Sequence, residues 1–352
     1  MIAKHRYSGR PASIRMLIAL GALPLLAAVV FYGCSKNTTG PGSPNYAEGL
    51  IAFTAYGDSF QSDLDIYTVD AYDYSPRVEN ISNLLTTDCR PVWISGKSSL
   101  IFISGTDINS ALYRFNPSTF ERYLFFSTNT RIVKISASPS DARLIYFATI
   151  PNDSRLALNI LNTETLDTLR LTEIAQMEDP PVAWSSDGSK LAVGAGAILV
   201  FDMENGGLLY SLGSRADYMA WDAAGERLYV IRSGDLFHVD SLQENTILTG
   251  RNLAYPAFSP DKRYLACVSQ SMGNSLIIVD LNFGDFVTVR PVNPPQFSCG
   301  DYRMLSWSPD SREVAFIDQE NGTWAIYRVD RDGYLAIEKV TDDATVKVAL
   351  TW

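Results

Sequence analysis

A chain of 352 residues that carries only two histidines, His5 and His238, has few routes to catalysis. A Ser-His-Asp triad needs an imidazole as its base. Zinc or manganese centres built on several imidazoles cannot be assembled from the single histidine in the body of the chain. His238 stands between Phe237 and Val239, where it reads as a strand residue with a satisfied ring. No Gly-x-Ser-x-Gly nucleophile elbow occurs. Carboxylates are the remaining route. Asp63-Leu-Asp65 and Asp330-Arg-Asp332-Gly333 present hard oxygen donors that suit Ca²⁺, yet both border apolar strands where Asp commonly supports a turn. Gly194-Ala-Gly196 is a lone Gly-x-Gly, short of a dinucleotide fingerprint. The expectation is no catalytic residue, no metal and no cofactor, with function carried by binding.

Charge narrows the partner. Asp and Glu number 39 against 29 Lys and Arg, for a formal net charge of -10, so a nucleic-acid partner is not expected. The basic residues are uneven: Lys4, Arg6, Arg10 and Arg15 open the chain without an acid among them. An apolar run from Met16 to Tyr32 follows, broken only by Pro24, and ends at Gly33-Cys34. Basic, apolar, small and then polar is the order of a secretory signal. The Gly-Cys junction resembles the lipobox of bacterial lipoproteins, although Phe31 stands where that motif usually carries Leu. The resemblance implies cleavage after residue 33 and a lipid anchor on Cys34; the alternative is an uncleaved single-span anchor. Residues 1–33 then form the signal, 34–47 a flexible leash and 48–352 the folded body. Removing residues 1–33 subtracts four basic residues and no acids, leaving -14 for an envelope protein facing the periplasm or the exterior. Of the remaining cysteines, Cys267 reads as a small buried hydrophobe, while Cys89 and Cys299 fall in loops and could pair in an oxidising compartment.

The elements that position everything else are repeats. Trp184-Ser-Ser-Asp-Gly-Ser-Lys-Leu191, Phe258-Ser-Pro-Asp-Lys-Arg-Tyr-Leu265 and Trp307-Ser-Pro-Asp-Ser-Arg-Glu-Val314 share one pattern. Trp93 to Leu100, Trp221 to Leu228 and a degenerate copy from Ala137 to Leu144 keep the same spacing. An apolar strand ends at the aromatic, a polar turn reverses the chain, and a second strand starts at the aliphatic anchor seven residues on. A third strand ends in Asp or Asn, as in Ile66-Tyr-Thr-Val-Asp70 and Ile326-Tyr-Arg-Val-Asp330, and weaker fourth strands close on Leu85-Thr86, Leu171-Thr172, Leu248-Thr249 and Val340-Thr341. From Trp93 to Trp352 the lead position recurs six times over 259 residues, about 43 each, which is the period of a propeller blade. The chain begins on a second strand at Leu50 and stops on a first strand, Val348 to Trp352. The predicted fold is all-β: a seven-bladed β-propeller closed by pairing of the C-terminal strand with the N-terminal blade.

These motifs, Trp-Ser-Ser-Asp-Gly, Phe-Ser-Pro-Asp and Trp-Ser-Pro-Asp followed by Ile-Tyr-x-Val-Asp, resemble the WD-like propeller repeat of the TolB family over roughly residues 48–352. Two departures stand out. The α/β domain that precedes the propeller in TolB is absent, and seven blades are counted here where TolB is usually described with six. On the resemblance, the loops before each innermost strand converge at the mouth of the central channel. They offer Asp88, Arg90, Lys134, Asp179, Asp217, Tyr218, Tyr255, Arg303 and Lys347, of which Arg90, Asp217, Tyr218, Tyr255 and Arg303 are the candidate binding residues. The longest of these connections, residues 291–301, is the best candidate for a partner-specific insertion. The expected function is a monomeric, non-catalytic envelope lipoprotein that binds a protein or peptide partner. The alternatives are a propeller that binds a glycan or small molecule, or a carboxylate-dependent enzyme acting on a glycan.

Overall fold

The structure, a computed structural model, describes residues 46–57, 63–105, 108–240, 243–295, 300–333 and 336–352. The basic and apolar N-terminal segment, Cys34 and Cys299 lie outside the described residues. Among the described residues no helix is long and apolar enough to cross a membrane. The strands form seven antiparallel four-stranded sheets, each a blade of the propeller. The innermost strands are Thr87–Trp93, Ile132–Ala137, Val182–Trp184, Tyr218–Trp221, Leu253–Phe258, Leu305–Trp307 and Val346–Thr351, which head blades one to seven in that order.

The seven-residue spacing becomes cross-strand register. Trp93 pairs with Leu100, Ala137 with Leu144, Trp184 with Leu191, Trp221 with Leu228, Phe258 with Leu265 and Trp307 with Val314. The Ser-x-Asp turn explains the spacing. In blade three, Ser185 Oγ donates to Asp187 Oδ1 at 2.6 Å and accepts the Lys190 amide at 2.8 Å, while Gly188 supplies a φ of 71°. Ser259 with Asp261, and Ser308 with Asp310, repeat the arrangement in blades five and six. Each lead aromatic packs toward the preceding blade: Trp221 Nε1 donates to Ala183 O and Trp307 Nε1 to Ala257 O. A seven-residue interval is thus the length of one tight hairpin plus the residues that flank it.

Closure is as expected. Val346–Thr351 pairs with Leu50–Tyr56, matching Phe53 with Leu350 and Thr54 with Ala349, so blade seven is built from both ends of the body. The seam is sealed at the lower end, where Trp352 Nε1 donates to Glu48 O at 3.2 Å and Lys97 Nζ donates to Leu50 O at 2.8 Å. Leu50, Ile51, Ala52, Phe53, Val348, Ala349 and Leu350 are all buried there.

The fourth strands depart from expectation in two blades. In blade seven the outer strand is only Glu79–Asn80, and Leu85 is fully exposed in the connection beyond it. In blade six it is Glu338–Lys339, with Val340 and Thr341 just past its end. A hydroxyl replaces the missing ladder bonds in both. Ser82 Oγ accepts the Ile66 amide and Thr341 Oγ1 accepts the Ile326 amide, each at 2.9 Å.

Candidate functional site at the channel mouth

At the upper end, where the innermost strands begin, a β-bulge interrupts several of them. Register shifts fall between Cys89 and Val92 in blade one, around Lys134 in blade two, between Ala254 and Ala257 in blade five, and beside Lys347 in blade seven. A bulge re-aims a side chain without ending the strand. Arg90 and Tyr255 take the extra positions with φ of 55° and 53°. Sequence reading put all the candidate residues in loops; Asp88, Arg90, Lys134, Tyr218, Tyr255 and Lys347 belong to the innermost strands themselves, because the bulge hides inside the strand.

Arg90 crosses the mouth. Its Nη1 pairs with Asp179 Oδ1 at 3.0 Å, and its Nη2 donates to Gly300 O at 2.6 Å and Glu178 O at 3.1 Å. Lys134 Nζ reaches the same Asp179 oxygen at 2.7 Å. Arg303 forks onto Asp301 at 2.8 and 2.6 Å and donates through Nη1 to Pro91 O at 2.8 Å. Three cations and two carboxylates thereby tie blades one and two to the connections that precede blades three and six. Burial would raise the Asp179 carboxyl, but Lys134 and Arg90 outweigh it and hold it below the ordinary value. Arg303 and Arg90 do the same for Asp301 against its complete burial. Arg90 itself is 4 % exposed. Its guanidinium, and the bidentate fork of Arg303, face protein acceptors, so both arginines brace the mouth.

The other candidates divide. Tyr218 and Asp217 stand at the mouth, with Tyr255 and Tyr302 near enough to influence the Tyr218 phenol. Burial pushes that phenol up, with Asp179 adding to it, and its hydroxyl has no hydrogen-bond partner among the described residues. Asp217 supports its own loop by accepting Arg215 Nη2 and the Ser233 amide, each at 2.8 Å. Lys347 is wholly buried and tied to Asp343 Oδ2 at 2.8 Å. Asp88 is wholly buried in a nest of hydroxyls formed by Ser82, Thr86 and Ser104. Sequence reasoning missed Glu178 and Tyr302, and named Asp301 only as the end of the 291–301 connection, of which residues 296–299 lie outside the described residues. The Asp301-Tyr-Arg303 spacing was the available signal, since an Asp two residues before an Arg can fork onto it.

A cavity of about 340 Å³ opens beside the brace between blades three and four, lined in part by Met177, Glu178, Pro181, Asp217, Tyr218 and Tyr302. Tyr302 Oη donates to Glu178 Oε2 at 2.9 Å. Among the described residues no group of three His, Cys, Asp or Glu side chains is placed to hold a metal ion. Asp65 accepts from Asn80 and Ser82, which is the turn-supporting role. His238 lies on the third strand of blade four opposite Tyr229 and Asn245, two strands out from the channel. Cys267 is wholly buried in blade five, as expected of a small hydrophobe, and Cys89 is buried next to Arg90.

No protein-family model matches the chain, and none of the curated proteins matches it. Solved structures do share the fold. TolB from Acinetobacter baumannii is similar over 90% of this chain and 68% of its own, at 15% identity and a TM-score of 0.54. An oligogalacturonate lyase in complex with manganese is similar over 87% of this chain and 89% of its own, at 12% identity and a TM-score of 0.63. A chain of a mitotic checkpoint complex is similar over 84% and 88%, at 13% identity and a TM-score of 0.57. One neighbour is a lyase and another belongs to a protein assembly, so the shared fold leaves the chemistry to this chain's own residues.

Proposed function

We propose that this protein is a non-catalytic, TolB-like propeller of the cell envelope, anchored through a lipid on Cys34, that binds a protein or peptide partner at the channel mouth as a monomer and without a cofactor. The observation that carries the reading is the electrostatics of the mouth. A carboxylate-dependent glycan enzyme needs one carboxyl with a raised pKa to act as general acid. Asp179 and Asp301 are both pulled down by their arginine and lysine partners and stay ionised. The carboxyl that is pushed up near this end of the blades, Asp88, is sealed from any substrate. What the mouth offers instead is a braced rim and a cavity with two tyrosines. The chain enters the propeller at Tyr46–Gly49, at the end opposite the mouth, which suits a tether that leaves the mouth open.

The test is crosslinking in intact envelopes, followed by affinity capture and mass spectrometry, with Tyr218→Ala at the mouth compared against Leu208→Ala on the outer wall. A partner lost with Tyr218→Ala and kept with Leu208→Ala supports the reading. Capture indifferent to Tyr218→Ala, or no partner above background, overturns it. Charge reversal at Arg90 or Arg303 is unsuitable, because it breaks the brace rather than the binding surface. Labelling with a radioactive fatty acid, with and without Cys34→Ala, checks the anchor; an unlabelled wild-type chain refutes it.

A further inference from the structure

The ion pairs around the mouth cavity leave one carboxylate out. Asp179 is matched by Arg90 and Lys134, and Asp217 by Arg215. Glu178 enters no ion pair among the described residues; its Oε2 takes only the neutral phenol of Tyr302. That carboxylate lines a pocket with room for a single long side chain. Tyr302 is held against that carboxylate, and Tyr218 brings a second aromatic ring. Aromatic faces attract cations, and the attraction grows as the cation loses water. Asp179 and Asp217 line the same space already paired, so Glu178 is the carboxylate that disfavours an anion there. An uncharged group would leave the carboxylate unmatched.

The shape of the charge selects among cations. A guanidinium binds a carboxylate best as a fork, using both oxygens. Tyr302 already holds Oε2 of Glu178, so Oε1 alone remains open. A single oxygen suits a point-charge ammonium with rotatable donors. We infer that the cavity lined by Glu178, Tyr218 and Tyr302 is a pocket for an alkylammonium group, the side chain of a lysine on the bound partner. The inference rests on reading the mouth as a binding surface and names the feature of the partner that it holds.

The test titrates the full chain with Nα-acetyl-lysine methylamide, and in parallel with the norleucine and arginine analogues, by isothermal calorimetry at low salt. Saturable binding of the lysine compound is expected, weakened at least tenfold by Glu178→Gln, with the arginine compound weaker and the norleucine compound silent. Glu178 is exposed and its amide isostere still accepts from Tyr302, so the variant keeps its fold; an unchanged thermal midpoint verifies this. Norleucine binding as well as lysine, lysine binding indifferent to Glu178→Gln, or no saturable lysine binding overturns the inference. The two proposals fail separately. A partner captured through Tyr218 but unaffected by Glu178→Gln keeps the interaction module and removes the lysine pocket.

Discussion

Replacing Asp88 with Asn should stabilise the protein near neutral pH and do little in acid. Asp88 is 0 % exposed, and its Oδ2 has no hydrogen-bond partner. Burial is the main cause that pushes its carboxyl from 3.8 up to about 6; Ser104 and Ser82 hydroxyls oppose it and Asp65 adds to it. Because the folded-state value lies above the unfolded one, the native chain keeps this proton where the unfolded chain has lost it. Stability therefore falls as pH rises from about 4 to about 6, and the full penalty is present above that range. A shift of this size corresponds to about 3 kcal/mol. Asn keeps the shape without the charge, so urea unfolding should show wild type and variant diverging by up to about 3 kcal/mol between about pH 4 and pH 7. Any packing cost of the buried amide is the same at both pH values and cancels in that difference. A stability difference that does not change with pH would refute the reasoning, since Asp88 would then ionise as an exposed carboxyl does.

Deleting residues 346–352 removes the innermost strand of blade seven and the buried Val348, Leu350 and Trp352. At roughly 1.5–3 kcal/mol for each large side chain, that loss rivals a whole domain's stability, so the cooperative near-UV transition should disappear. An unchanged midpoint would deny the closure. Arg90→Ala leaves Asp179 with Lys134 alone and strands the carbonyls of Glu178 and Gly300, and should lower stability by about 1–3 kcal/mol in urea unfolding. An unchanged urea midpoint would show that the mouth needs no brace. Burial pushes the Cys267 thiol far up, so iodoacetamide should label it only after denaturation; labelling of the native protein at the denatured rate would contradict its place in blade five.

The repeat was legible because each blade solves the same local problem. A lead aromatic, a Ser-x-Asp turn and an aliphatic anchor are neighbours in sequence, and Trp184 opposite Leu191 needs nothing from elsewhere in the chain. The fourth strands were less legible because an outer strand packs on one side only, which leaves its residues weakly constrained. Glu79–Asn80 carries no apolar pattern at all, and the apolar pair beyond it ends in a fully exposed Leu85.

The mouth is divided in the same way. That Tyr218 and Asp217 lie at the start of an innermost strand followed from the repeat; the structure has Asp217 just before it and Tyr218 as its first residue. What Arg90 and Arg303 do did not follow. Their acceptors, Gly300 O and Pro91 O, lie 210 and 212 residues away along the chain. Whether a guanidinium faces solvent or a carbonyl depends on which loops the closed ring brings together, and on a bulge that local sequence does not mark. Glu178 stands out only once its neighbours are seen to be ion-paired while it enters no ion pair among the described residues. Sequence alone determined the blades, their number and the seam, because those rest on hydrophobic spacing and turn chemistry within single hairpins. Only the tertiary structure decided which carboxylates at the mouth are ion-paired, because charge pairing is settled by distances across the ring.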